Sequence, residues 1–169
     1  MTTHILERSQ LVPRPRHEVF AFFADARNLE RLTPGFLRFE ILTPGPIEMR
    51  PGTLIDYRLS LFGVGFRWRT EIEAFEPGVR FVDVQLRGPY RRWHHTHTFA
   101  DAPGGTLIGD RVEYQLPLGP LGELARTLVV RRQLDTIFEH RRRIIEAMWG
   151  APPERGSRGG PAAGAHGSS

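Results

Sequence analysis

The chain has 169 residues, 40% of them hydrophobic, which is enough for one globular domain with a real core and leaves no room for a second. No cysteine occurs, so disulfides, thiolate nucleophiles, cysteine-ligated zinc and iron–sulfur clusters are excluded. The formal charge is +4 and every basic residue is arginine; the densest cluster, Arg141-Arg142-Arg143, lies inside an apolar-periodic stretch and not in a basic arm, so no nucleic-acid partner is expected. The opening Met-Thr-Thr-His holds no apolar signal core and no run approaches ~18 apolar residues, so a cytoplasmic location without an integral membrane segment is expected. The absence of lysine fits a GC-rich, bacterial genome.

In chain order, His4 to Val12 alternates as a first strand that Pro13-Arg14-Pro15 ends. Arg16 to Asp25 is a short apolar-rich helix, and Asn28 to Leu32 a second, stopped by Thr33-Pro34-Gly35. Six strands are predicted next: Leu37–Leu42, Thr53–Leu61, Phe66–Phe75, Arg80–Arg87, Arg92–Phe99 and Thr106–Leu116. Short Gly/Pro separators between them predict antiparallel hairpins. From Leu121 to Trp149 the period is helical. Leu121, Leu124, Ala125 and Leu128 share one face; Leu134, Ile137, Phe138, Ile144, Ile145 and Met148 share another, about half a turn away. One straight helix cannot bury both against one sheet, so a break or kink near Val129 to Arg132 is expected. The preceding Pro117-Leu118-Gly119-Pro120-Leu121-Gly122 reads as a mobile portal rim or a plain connector. Residues 1–150 form the expected domain, and 151–169, rich in Gly, Pro, Ala and Ser, a disordered tail.

This order of elements, with Pro15 to Asp25 followed by Asn28 to Pro34, Trp68, Phe75-Glu76-Pro77-Gly78, Phe81, Gly88-Pro89, Asp110-Arg111-Val112-Glu113-Tyr114 and Phe138-Glu139-His140-Arg141, resembles the START-like (SRPBCC) superfamily of polyketide cyclases/dehydrases and lipid-transfer proteins. The resemblance covers about residues 4–149 and implies an α+β helix-grip fold: a seven-stranded curved antiparallel sheet wrapped around a long C-terminal helix, with two short helices after the first strand. It also implies an apolar cavity between sheet and helix that holds a hydrophobic small molecule. It specifies the fold well and the reaction poorly.

Strand alternation assigns side chains to the cavity face. Placing Arg67, Arg69, Glu71 and Glu73 in water sends Phe66, Trp68, Thr70 and Ile72 inward. Trp93, His95, His97 and Phe99 share the inward face of their strand, as do Ile108, Asp110, Val112 and Tyr114; Tyr57 and Leu59 follow by the same logic. Arg80–Arg87 is ambiguous, because Val82, Val84 and Leu86 form one face and Phe81, Asp83 and Gln85 the other. If the polar face lines the cavity, Asp83 and Gln85 join His95, His97 and Asp110. A carboxylate beside a histidine fixes its tautomer and raises its pKa, the arrangement that acid–base chemistry needs, so His95, His97 and Asp110 are the candidate catalytic groups. The same residues could instead orient a ligand, or simply satisfy one another. His95-x-His97 could ligate a metal with Asp110 or Asp83 as a third group, but the spacing alone is weak, and neither a metal nor another cofactor is expected. Arg141 lies in the middle of an apolar helix face and must pair with Asp83 or Asp110 or contact a ligand anion. Trp68, Trp93, Tyr57, Tyr114 and Phe138 are candidate aromatic walls.

The expected function is binding, transfer or presentation of a hydrophobic small molecule such as a quinone, lipid or polyketide. The alternatives are a cyclase/dehydrase using a cavity histidine as general acid/base, and a protein-interaction module with a collapsed cavity. No protein partner is identified.

Overall fold

In the computed structural model, which describes residues 2–61, 63–117 and 120–151, β1 (His4–Val12) forms one edge of a seven-stranded antiparallel sheet. The remaining strands are β2 (Glu40–Ile41), β3 (Leu54–Leu61), β4 (Val64–Glu76), β5 (Arg80–Arg87), β6 (Arg92–Ala102) and β7 (Gly105–Gln115), in spatial order β1-β7-β6-β5-β4-β3-β2. Consecutive strands from β3 to β7 are neighbours because their connections are too short for anything but antiparallel return. The chain crosses from the β1 edge to the β2 edge through α1 (Arg16–Phe23), α2 (Asn28–Leu32) and a 3-10 turn at Gly35–Leu37. Helix α3 (Pro120–Trp149) closes the concave side of the sheet.

The core follows the inward faces. Val12, Phe81, Phe99 and Ile108 of the sheet meet Val19, Phe20 and Phe23 of α1 and Ile145 of α3. Phe20 stands edge-on to Phe99 at 5.2 Å between ring centres, the offset geometry that aromatic pairs favour. Thr106, fully buried where β7 begins, donates to the Arg14 carbonyl oxygen at 2.8 Å and pins the β1–α1 corner to the sheet. Along β4 the alternation is broken once: Ile72 pairs Asp83 and Ala74 pairs Val82, so Glu73 is an extra residue. That bulge re-aims Phe75 into the core beside Phe20 and Phe81.

Two expectations change. The strand over Leu37–Leu42 shrinks to two residues, because Pro34 starts a 3-10 turn that buries Leu37 and Arg38 leaves it with positive φ, outside β geometry. The break near Val129 to Arg132 does not occur; α3 is one helix through that segment. Leu134 and Ile145 are buried, whereas Leu128 of the other face stays 65% exposed. The side chains of Leu121, Leu124 and Ala125, Leu118 and Gly119 of the supposed rim, and the tail beyond Ala151 lie outside the described residues.

The β6–β7 hairpin turns through Pro103-Gly104, with Ala102 paired to Gly105. Gly105 has φ +147, and a Cβ there would overlap the Val12 carbonyl oxygen and crowd Pro13. Gly105→Ala is therefore expected to destabilise the fold by about 2 kcal/mol or more. Gly35→Ala, whose Cβ meets nothing, should stay within ~0.5 kcal/mol. Thermal and urea unfolding of the two variants measures the contrast.

Candidate functional site

Sheet register builds the site. Asp83 on β5 lies directly opposite His95 on β6, and His97 lies directly opposite Asp110 on β7. All four side chains point to the concave face. The ambiguity of β5 is thus resolved toward its polar face, with Phe81 and Asp83 inward and Leu86 left exposed.

The closest contacts run diagonally across the strands. Nε2 of His97 donates to Asp83 Oδ2 at 2.8 Å, and Nε2 of His95 donates to Asp110 Oδ1 at 3.0 Å. The other ring nitrogens face the opposite carboxylates: His95 Nδ1 is 3.6 Å from Asp83 Oδ2, and His97 Nδ1 is 3.1 Å from Asp110 Oδ1 without hydrogen-bond alignment. The two imidazoles stand side by side, 3.7 Å between centres, sandwiched between the carboxylates. Phe81 stacks on His97 at 4.2 Å, and Phe138 of α3 meets His95 edge-on.

Arg141 completes the cluster from α3. Its Nη1 donates to Asp110 Oδ1 at 3.0 Å, and its guanidinium lies over the Phe23 ring, 4.7 Å from the centre. Its Nη2 has no hydrogen-bond acceptor among the described residues. His95, His97, Asp110 and Arg141 are each no more than 9% exposed, so the charges must balance internally.

The pKa directions show how they do. Burial alone would raise Asp110, but Arg141 and the two histidines overcome it and hold that carboxyl well below its usual range. Burial would raise Asp83 too, and the adjacent His95 and His97 hold it down. The two histidines split. Burial, reinforced by the neighbouring His97, lowers His95; burial also opposes charge on His97, but the close Asp110 and Asp83 carboxylates outweigh it and raise that imidazole. The acids are thus held toward their charged form, His97 toward its protonated form and His95 toward its neutral form.

This cluster forms one end of an apolar cavity of about 230 Å³ between the sheet, α1, α2 and α3. Tyr57, Trp68, Asp83, Trp93, His95, His97, Phe138 and Arg141 line it. The space is not collapsed. Trp68 and Trp93 stand perpendicular at 5.4 Å, and Trp68 donates its indole N–H to Thr70 at 3.0 Å. Burial, with the Asp83 charge nearby, pushes the Tyr57 phenol up, so it stays neutral.

Three candidate residues lie outside the lining. Gln85 bonds the Tyr90 backbone, donating to its carbonyl oxygen at 2.7 Å and accepting from its N–H at 3.3 Å, and so shapes the β5–β6 loop. Tyr114 packs with Leu6, Leu116 and Leu134. Asp110 sits behind the histidines and borders a second, polar cavity with Arg8, Gln10 and Glu139, so the Asp110–Arg141 pair divides two spaces.

Sequence reasoning missed Tyr90, whose ring closes the aromatic corner 4.8 Å from Trp93 and 5.6 Å from Trp68. It follows Gly88-Pro89, where an aromatic next to a turn was the only available signal. It also missed the wall supplied by Phe22, Phe23, Leu32, Leu37 and Met49. Among the described residues, Asp83, His95 and His97 form the one group of three side chains whose donor atoms converge as metal ligands would, all within 4.8 Å.

Asp110→Ala should leave Arg141 charged and unpaired in the core and cost ~3–5 kcal/mol. Asp56→Ala, which breaks the exposed two-point pair with Arg69, should cost under ~1 kcal/mol. Urea denaturation of both separates the cases.

In chelator-treated protein, imidazole ¹⁵N shifts should show His97 protonating above the ordinary value near 6.5 and His95 below it. The raised His97 contributes stability that is complete below its unfolded pKa and lost as pH rises through its folded one. His95 acts oppositely, costing stability as pH falls below its unfolded pKa, since the unfolded chain takes a proton that the folded one refuses. Asp83 and Asp110 stabilise above the ordinary carboxylate range and lose this as pH falls through their lowered values.

A search of curated proteins found no match. Solved structures share the fold at low identity. The di-domain ARO/CYC StfQ from the steffimycin biosynthetic pathway is 18% identical with a TM-score of 0.65, over 87% of this chain and 50% of that one. TTHA0849 from Thermus thermophilus is 19% identical with a TM-score of 0.62, over 87% and 99%. Ara h 8.0201 is 18% identical with a TM-score of 0.57, over 86% and 99%. They establish the helix-grip architecture that the alternation and the long helix pointed to. The family model for polyketide cyclase / dehydrase and lipid transport matches residues 12–140, a span holding every side chain of the cluster except Arg141, and the chain belongs to that family.

Proposed function

We propose that this chain binds a hydrophobic small molecule, quinone-, lipid- or polyketide-like, between the sheet and α3, and acts as a binding, transfer or presenting protein. The observation that carries this reading is the pairing of an apolar, aromatic-walled cavity with a few convergent polar groups at one end. Trp68, Tyr90 and Trp93 offer faces and edges to a flat ligand body. Arg141 Nη2 and the Asp83–His97 pair offer hydrogen bonds to its polar end. Because Arg141 is already paired with Asp110, a carbonyl or hydroxyl oxygen fits the cluster better than a carboxylate, which would add a second buried anion beside Asp83.

A cyclase/dehydrase activity is the second reading. It is favoured by one observation: His97 contacts Asp83 at 2.8 Å and both line the cavity, as a proton-transfer pair must. The family description includes both activities.

Native mass spectrometry of protein purified gently from its own host is expected to show an added mass of a few hundred daltons that is lost on denaturation. A quinone or polyketide-like probe should quench tryptophan fluorescence saturably, and Trp93→Ala should weaken its binding about tenfold. A bare mass together with unsaturable quenching would sink the binding reading. Turnover of such a probe, abolished in His97→Ala but with binding retained, would favour the enzyme.

A further inference from the structure

The two imidazoles present a different nitrogen to each carboxylate. Asp110, held by Arg141, lies behind both rings at 3.0 and 3.1 Å. On the cavity side, Asp83 Oδ2 lies 2.8 Å from His97 Nε2 and 3.6 Å from His95 Nδ1. All three donor atoms lie within 4.8 Å of one another, and ligands bonded at 2.0–2.2 Å to one ion sit about 3.0–3.5 Å apart, so small side-chain adjustments bring them onto one ion. Metal-bound histidines characteristically donate their second ring N–H to a carboxylate, which fixes the tautomer and the ring direction. Asp110 takes that N–H from His95 and lies 3.1 Å from the second ring nitrogen of His97, which a small rotation of the ring would align. Asp83, His95 and His97 all line the cavity, whereas Asp110 does not.

We propose that Asp83 Oδ2, His95 Nδ1 and His97 Nε2 bind one divalent transition-metal ion, with Asp110 as the shared carboxylate behind both histidines and an open coordination position facing the cavity. Two imidazoles and one carboxylate suit a first-row ion such as zinc, cobalt or iron(II) better than calcium or magnesium, which prefer all-oxygen sets. With the ion bound and both histidines neutral, Asp83, Asp110, Arg141 and the metal sum to +1. The open position therefore favours an electron-rich oxygen, such as a hydroxide, enolate or polarised carbonyl. This inference goes beyond the ligand-binding reading and does not depend on it, because the ion can be assayed with no organic ligand present.

The test uses the full chain, stripped with chelator, loaded with cobalt(II) or zinc and desalted. Close to one ion per chain should remain, and cobalt should give a visible d–d absorption band. Asp83→Asn keeps the side-chain shape and an oxygen to accept from His97, so it should fold; it should weaken cobalt binding at least tenfold. His97→Ala, checked for folding by circular dichroism, should abolish retention. Asp110→Asn should weaken binding roughly 10- to 100-fold without changing stoichiometry. His94→Ala, on the outer face beside Glu73, should bind like the parent. Failure to retain either ion overturns the proposal. So does retention that a folded Asp83→Asn or His97→Ala leaves unchanged, since the ion would then sit elsewhere. Loss of ligand binding with metal binding intact would count against the ligand reading alone.

Discussion

The Asp110 carboxylate is the buried charge around which the concave face is organised. Taking an ionised carboxylate out of water costs several kcal/mol, and only close, well-aligned partners repay it. Asp110 has three within reach, contributed by two structural layers: His95 and His97 from the neighbouring strand, and Arg141 from α3. The Arg141 contact ties the helix to the sheet at one rotational setting. Sliding α3 by a residue would swing the guanidinium by about 100° and leave both charges unpaired in the core. Apolar contacts from Leu134 and Ile145 supply much of the attraction, but they tolerate small rotations that the ion pair does not.

The second consequence of that anchoring is the cavity. A helix held by a few fixed contacts near its C-terminal half can leave space beside it, and here the space is walled by large aromatic rings and by the α1–α2 segment. The polar cluster sits at one end of it, so the same residues that fix the helix are within reach of whatever enters. Structural and chemical roles are divided between the two carboxylates. Asp110 lies behind the histidines, outside the cavity lining, and is held by three partners; Asp83 lines the cavity and is satisfied chiefly by the histidines. The two histidines differ as well: burial and the neighbouring His97 lower His95, whereas burial is outweighed at His97 by Asp110 and Asp83, which raise it.

Much of the site was legible because strand periodicity is strict. Once Arg67, Arg69, Glu71 and Glu73 are put in water, the inward positions of β4 follow, and the same logic placed Trp93, His95, His97, Asp110 and Tyr114 on the concave face, where the structure has them. It could not tell the cavity from the core. Tyr114 and Asp110 point inward yet stop short of the cavity, since which inward side chain meets the space depends on where α3 lies across the sheet. Nor could it resolve β5, where an apolar face of Val82, Val84 and Leu86 competes with a mixed one of Phe81, Asp83 and Gln85, or foresee the bulge at Glu73 that turns Phe75 inward. Helical periodicity misled differently. Two apolar faces on one segment implied a break, but the chain accepts an exposed Leu128 and Val129 and keeps the helix whole.

The sequence by itself determined the class of fold, the order of its elements and the face on which each strand residue lies, because these are set by local periods and by turns too short for other connections. The tertiary structure alone decided that Asp83 meets His97, that Asp110 meets Arg141 and both imidazoles, and that Tyr90 folds over the aromatic corner. Those outcomes depend on inter-strand register and on the placement of a helix from the far end of the chain, and neither is encoded in any local run of residues.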